Sequence, residues 1–301
     1  MKSKGLISII MNCHNGEAFL NEAIQSVLKQ KYKKWEMIFW NNNSTDNSEK
    51  VFKSYRDKRL RYYFRKKKVS LYKSRNSAIK KAKGEFIAFL DVDDIWLPNK
   101  LSLQVKKFRD PNVGLVYGKL LKVDKNNFFG KKQLITPGDL PEGYVTKDLL
   151  KYYRVGLLTI MLRKKFLNKN NVFKTQYNYL GDLDFVLRFS LKYKFAAVQE
   201  IIGIYRQHEN QMQKKHYKAK SVQFTKWYKE LILKNMFGGK NNLRMFEEWE
   251  RFFSNLTLVK EKRSLSVLLK IIKYPNNLNK IKLLIIFFIP EFISKKIVAE
   301  T

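Results

Sequence analysis

Apolar residues recur along the chain with two alternating spacings. Leu6 to Met11 is a short, β-branched apolar run of the kind that forms a buried strand, and Asn15-Gly16 marks a turn after it. From Glu17 to Gln30 the spacing changes, so that Ala18, Leu20, Ala23, Ile24, Val27 and Leu28 share one helical face. Trp35 to Trp40 reads as a second strand, closed by the polar run Asn41 to Asp46. A helix is predicted from about Asp46 to Tyr55, with Ser44 or Thr45 as its N-cap. Leu60 to Phe64 predicts a third strand, Lys73 to Lys83 a helix, and Phe86 to Leu90 a strongly apolar fourth strand ending at Asp91. Strands alternating with helices predict βαβ units and a mostly parallel α/β sheet flanked by helices.

After Pro98 a helix continues to about Phe108, and Val113 to Leu121 gives another strand. Gly130, Pro137, Gly138, Pro141 and Gly143 then make residues 122–150 rich in turns. Helices dominate beyond them, Leu183 to Tyr193 included, with Ala196 to Tyr205 as a strand-like return. The pattern predicts an α/β unit over 1–215 and a helical, basic extension over 216–301, without internal repeats.

Composition changes this picture in three respects. Lys+Arg number 61 against 26 Asp+Glu, a formal net charge of +35 over 301 residues, which favours an anionic partner: nucleic acid, acidic lipid or a phosphorylated substrate. The lysines are scattered, with bunching at Lys66–Lys68 and Lys80–Lys83, so a lysine-rich background accounts for them equally well. A hydrophobic content of 45% with 14% aromatics excludes a disordered polycation, and with one cysteine there is no disulfide scaffold. That cysteine, Cys13, lies in an apolar run and suits a reducing compartment, which makes the cytoplasm the expected location. The opening residues resemble a signal peptide, but Asn12, His14 and Asn15 end their apolar run early. Leu283 to Ile289, between Lys282 and Pro290, falls short of the ~20 residues that a bilayer span needs.

In a doubly wound sheet ligands bind beyond the carboxyl ends of the strands. Four polar clusters fall there: Asn12 to Asn15, Asn41 to Asp46, Asp91 to Asp94 and Gly181 to Asp184. As alternate strand residues, Asp91 and Asp93 would point to one side, and carboxylates that close repel unless a cation sits between them. Mg²⁺ or Mn²⁺ bound through them and a substrate diphosphate fits; the alternative is that Asp93 or Asp94 caps the helix after Pro98.

The string Gly84-Glu85-Phe86-Ile87-Ala88-Phe89-Leu90-Asp91-Val92-Asp93-Asp94, followed by Trp96, Pro98, Lys100 and Leu101, resembles the metal-binding segment of family 2 glycosyltransferases. Ile7 to Ile10 with Asn15-Gly16, Glu36 through Asp46, Arg75-Asn76, Gly181 to Phe185 with Arg188, and Tyr205-Arg206 with His208 are similar to further motifs of that family, in order over about residues 5 to 210. The resemblance implies the GT-A (nucleotide-diphospho-sugar transferase) fold, with residues 1–120 as nucleotide-sugar half and 121–215 as acceptor half. It implies an inverting transferase of bacterial surface-polysaccharide type, a UDP-sugar donor, and a glycan or polyprenyl-linked acceptor. Asp91 and Asp93 would hold the cation and diphosphate, His208 would approach as a further ligand with Arg206 steadying it, and Arg75 would touch the diphosphate unless it forms a surface ion pair. Asp182 matches the catalytic base, with an N-cap as its plain alternative; Asp184 is the fallback base. Asn12, His14, Asn15, Asn41 and Asn43 fall on the donor side. Asn41 replaces the usual aspartate that accepts from uracil, and Asn12 and His14 replace proline and tyrosine; His14 either stacks on a base or packs against Trp40. Two other classes compete: a degenerate transferase that binds glycan or lipid without turnover, and a nucleic-acid-binding protein, against which the acidic clusters and the missing recognition motif speak.

Lys270, Lys273, Lys280, Lys282, Lys295 and Lys296 interleave with Leu268, Leu269, Ile271, Ile272, Leu283 to Ile289, Phe292 and Ile293. Such a segment either lies on an anionic membrane surface or packs as a helical appendage.

Overall fold

The computed structural model describes residues 5–124, 132–167, 172–208, 216–275 and 277–288. It divides into two compact units, one of Met1–Leu149 with Tyr153–His208 and one of Leu150–Tyr152 with Glu209–Thr301.

The first unit is built on strands β1 (Ile7–Cys13), β2 (Trp35–Asn41), β3 (Leu60–Phe64), β4 (Phe86–Phe89), β5 (Ile95–Trp96), β6 (Val113–Asp124), β7 (Gln133–Leu134), β8 (Met161–Arg163) and β9 (Lys194–Gln207). They form one sheet in the order β3-β2-β1-β4-β8-β6-β9-β5, with β7 on β6. The ladders β1·β2, β1·β4, β2·β3 and β6·β9 are parallel and hold most of the paired residues, while β8 joins the two halves by short antiparallel pairings to β4 and β6. Every residue of β1 and β2 is buried, as a sheet covered on both faces requires. Helix α1 (Glu17–Leu28) covers it with Leu20, Ala23, Ile24 and Val27. Around the sheet lie also α2 (Ser48–Lys53), α3 (Leu71–Ile79), α4 (Lys100–Lys107), α5 (Thr146–Lys151) and α6 (Gly181–Ser190).

Several predicted elements differ in detail. The helix expected from Asp46 starts only at Ser48, and neither Ser44 nor Thr45 caps it, because Asp46 takes both the backbone N–H (3.1 Å) and the hydroxyl (2.6 Å) of Ser48 and holds the loop out of the helix. The strand from Val113 runs on to Asp124 because β9 pairs with it along its whole length, across bulges near Gly118–Leu120.

The second unit is helical: α7 (Tyr217–Leu233), α8 (Arg244–Glu261), α9 (Leu265–Ile272) and α10 (Leu278–Phe288). Phe252, Leu256 and Val259 of α8 meet Val267 and Ile271 of α9 and Leu283 and Ile286 of α10 in one apolar cluster. No helix among the described residues is long and apolar enough to cross a membrane. Phe292, Ile293, Lys295 and Lys296 lie outside the described residues.

Candidate active site

β4 ends at Phe89, so Asp91 to Asp94 form a turn, closed by the Asp94 N–H donating to the Asp91 carbonyl at 3.1 Å. The carboxylates of Asp91 and Asp93 therefore meet across a turn and not along one strand face. Neither Asp93 nor Asp94 caps α4, whose N-cap position is Asn99. Arg206, at the end of β9, holds the turn: its Nε donates to the Asp93 carbonyl (2.5 Å), its backbone N–H to Asp94 Oδ1 (3.3 Å), and its guanidinium pairs with Glu22 of α1. Arg206 is 3% exposed and stands behind the acidic turn, bound to Asp93 and Asp94, where the sequence reading had it steadying His208. Burial pushes the Asp94 carboxyl well above the usual carboxylate range, and the charges of Asp93 and Asp91 push the same way.

His208 Nε2 lies 3.1 Å from Asp93 Oδ2, its ring packs on Phe19 with centroids 4.6 Å apart, and its Nδ1 is buried without a hydrogen-bond partner. Adjacent ligands of an octahedral Mg²⁺-like ion at about 2.1 Å stand about 3 Å apart. The Asp93–His208 pair has that spacing, and a carboxylate with an imidazole is a donor set suited to Mn²⁺. Among the described residues no three His, Cys, Asp or Glu side chains converge, so phosphate and water would have to complete the coordination. Asp91, expected as a co-ligand, has both oxygens within 2.5 and 2.7 Å of Arg75 Nη2.

That arginine corrects a second expectation. Arg75 is 3% exposed and committed to Asp91, so it orients a carboxylate where a diphosphate contact or a surface ion pair was expected. Burial works against its charge, but Asp91, with Tyr72 and Asp182, outweighs it and holds its pKa above the ordinary arginine value. One turn earlier on α3, Tyr72 donates from its hydroxyl to Asp182 Oδ1 at 2.8 Å. A Cβ on Gly181 would come within 2.6 Å of the Tyr72 ring, so glycine allows α6 to start against α3. Ser74 accepts from Asn12 Nδ2 at 2.7 Å, and the Asn76 side chain pairs with both the N–H (3.0 Å) and the carbonyl (2.8 Å) of Phe173. Tyr72 and Ser74 were not singled out in the sequence; the signal was there in their spacing, three residues and one residue from Arg75.

Asp182 is the second residue of α6, with Leu180 at the N-cap position and no side chain capping, so the N-cap role is not realised. Its charge reaches Asp91, whose carboxyl is raised by burial first, then by Asp93 and Asp182 against the pull of Arg75. Asp184 does not serve as a fallback base: it is 1% exposed and paired with Arg188 Nε (2.7 Å) and Lys174 Nζ (3.3 Å). Tyr153, half-buried with its hydroxyl buried and unpartnered, feels the charge of Asp182 after its own desolvation, and both raise its pKa well above the tyrosine norm.

On the donor side Asn12 leaves Oδ1 buried and unpartnered, the one amide oxygen of its cluster aimed at no protein group. Asn41 departs from expectation: it is 1% exposed, its Oδ1 accepts from the Ser44 N–H (2.8 Å) and its Nδ2 donates to Tyr62 (3.0 Å), so it shapes the loop and presents nothing to a base. Asn15 and Asn43 adopt left-handed φ of 57° and 62°. Asn15 Oδ1 accepts from the Thr45 N–H at 2.8 Å and ties the two donor-side loops together. His14 is exposed, while Trp40 stacks on Tyr63 with centroids 6.0 Å apart.

The donor-side loops, Arg75 and the acidic turn lie within a sequence match to the family model for glycosyl transferase family 2, which covers residues 8–171; Asp182, Arg206 and His208 lie beyond it. The UDP-Glc:α-D-GlcNAc-diphosphoundecaprenol β-1,3-glucosyltransferase WfgD of Escherichia coli is 35% identical over 163 residues, 54% of this chain and 62% of that protein's length. An uncharacterized glycosyltransferase of Methanocaldococcus jannaschii is 31% identical over 67% of this chain and 71% of its own. Two solved structures share the fold: the mannosyltransferase PcManGT of Pyrobaculum calidifontis with GDP-Man and Mn²⁺ (TM-score 0.61, 13% identity, 97% of this chain and 85% of that one), and S. aureus TarS with UDP-GlcNAc (TM-score 0.60, 19% identity, 96% and 81%). With its acidic turn, its α3 tie and its sheet all inside or beside the matched segment, the chain belongs to glycosyl transferase family 2.

Proposed function

We propose that this chain transfers a sugar, with inversion, from a UDP-sugar to a hydroxyl of a lipid-linked glycan acceptor during surface-polysaccharide assembly. The observation that carries this function is the pairing of Asp93 with His208 on one side and of Asp182 with Tyr72 on the other, with Asp91 electrostatically linked to both carboxylates. Asp93 and His208 would hold a divalent cation, which when bound offsets charge on the departing diphosphate. Tyr72 engages Asp182 Oδ1 and leaves Oδ2 to accept the proton of the acceptor hydroxyl. As the acceptor hydroxyl oxygen bonds to the anomeric carbon and its proton passes to Asp182, the bond to the diphosphate breaks on the opposite face and its electron pair leaves with the diphosphate. The activity of WfgD supports a UDP donor and a polyprenyl-diphosphate acceptor, which would set the reaction at the cytoplasmic face of a membrane. Asn41 Oδ1 is engaged by the Ser44 N–H, so selection of the base falls to other groups.

Calorimetry of UDP with and without Mn²⁺ tests this function, followed by transfer assays with the donor found. UDP binding is expected to need metal, to fall at least tenfold in Asp93→Ala and His208→Ala, and to persist in Asp182→Asn. Turnover in Asp182→Asn is expected to drop by about 10²–10⁴. No nucleotide binding in the presence of metal would leave the non-catalytic reading standing.

A further inference from the structure

The second unit presents an apolar surface that its own core does not use. On α9, Leu265, Leu269 and Ile272 follow the i, i+4, i+7 spacing of one helical stripe and are 72%, 50% and 51% exposed. Val267 and Ile271, on the opposite side, supply the contacts to the cluster with α8. Helix α10 repeats the division: Leu278, Ile281, Ile285 and Phe288 form an outward stripe, and Leu283 and Ile286 an inward one. Stripes of this kind are too costly to leave in water without a purpose. The charge beside them is of one sign: residues 262–288 contain six Lys or Arg and no Asp or Glu. Lys280 holds the two helices together by donating from Nζ to the Ile272 carbonyl at 2.6 Å. Lys270 and Lys273 follow Leu269 and Ile272 in the sequence and are exposed, and Lys282 follows Ile281.

We propose that α9 and α10 form a paired amphipathic platform that lies in the headgroup region of an anionic phospholipid bilayer. The outward Leu, Ile and Phe side chains enter the acyl boundary and the flanking lysines meet lipid phosphates. A protein partner with an acidic apolar groove would meet the same charge, but the outward stripes consist of Leu, Ile and Phe alone, with no polar side chain among them to fix a register, and a fluid surface needs none. The platform concerns location, and it holds whatever sugar the catalytic unit transfers.

Sedimentation of the full chain with phosphatidylcholine vesicles containing about 30% phosphatidylglycerol tests this, against phosphatidylcholine alone. The wild type is expected to bind the anionic vesicles, and Leu269→Glu/Ile285→Glu to bind at least tenfold more weakly with an unchanged melting temperature, since both side chains face outward. Each of Lys270→Ala, Lys273→Ala and Lys282→Ala is expected to lower binding about fivefold. Vesicle binding that survives Leu269→Glu/Ile285→Glu would assign it to the chain's general positive charge and overturn the platform. So would a wild-type dimer that the same double substitution converts to monomers without any vesicle binding. Binding that emerges only after removal of residues 289–301 would make that segment the occupant of the stripes and overturn it as well.

Discussion

Tyr72 joins the acceptor-side carboxylate to a helix that also anchors the donor side, through one hydroxyl hydrogen bond of 2.8 Å. Replacing it by phenylalanine keeps the ring that packs on Phe173 and Gly181 and removes only that bond. A hydrogen bond to a charged group contributes about 1.5–3 kcal/mol. Tyr72→Phe is therefore expected to lower kcat about tenfold or more with the donor KM unchanged, in steady-state transfer assays; equal losses in kcat and stability would assign Tyr72 to folding alone. Lys100 poses the opposite case: fully buried, its Nζ lies 2.5 Å from Gln104 Oε1 and 4.1 Å from the Trp96 ring centroid. Desolvation pushes its pKa well below the ordinary lysine range. Between that lowered pKa and the unfolded value near 10.4 the unfolded chain binds the extra proton, so stability rises with pH through this window, by up to about 1.4 kcal/mol per unit, and levels off above it. Denaturant melts of wild type and Lys100→Met from pH 7 to 10 check it; the variant is expected to lose this slope. The meeting of Asp93 and His208 was legible because polar residues after strands announce themselves by type. The burial of Asn41, Asp184 and Arg75 was not, because each is buried by a partner distant in sequence or by helix rotation: Tyr62 for Asn41, Lys174 and Arg188 for Asp184, Asp91 for Arg75.

Among the elements, α3 shows where hydrophobic patterning stops being informative. Its buried face includes Ser74, Arg75 and Asn76 beside Tyr72, Ala78 and Ile79, so apolar spacing marks it poorly, and the helix predicted over Lys73 to Lys83 in fact spans Leu71–Ile79. Strands β1, β2 and β4 were legible almost to the residue, since burial on both faces leaves short, nearly continuous apolar runs. The polar face of α3 is satisfied by four other segments: Asn12 on β1, Asp91 after β4, Phe173, and Asp182 on α6. Asn76→Ala would strand the buried N–H and carbonyl of Phe173 at once. At about 1–3 kcal/mol for each orphaned group, a loss of about 2–4 kcal/mol is expected in chemical denaturation. A smaller loss would mean that water reaches Phe173. Because α3 also orients Asp91 and Asp182, this variant is expected to weaken turnover more than Mn²⁺-dependent UDP binding, which Asp93 and His208 would carry.

At the scale of the whole molecule, the charge of +35 left three kinds of anionic partner open, and the acidic turn narrowed them by siting carboxylates where a polyanion would have to lie. The excess of positive charge falls elsewhere, in part on the helices of the second unit. The architecture of the first unit followed from alternation, but the sheet order beyond β4 did not, because β8 enters antiparallel from a segment with three strand residues and no periodicity to read. One feature of that sheet reaches further. β1 is bonded on both edges, to β2 and to β4, and all seven of its residues are buried. Its amide protons can meet solvent only when the surrounding ladders come apart together, so hydrogen–deuterium exchange along Ile7–Cys13 should proceed at the rate of global unfolding of this unit, and the slowest-exchanging amides there would serve as an internal gauge of its stability in any variant named above.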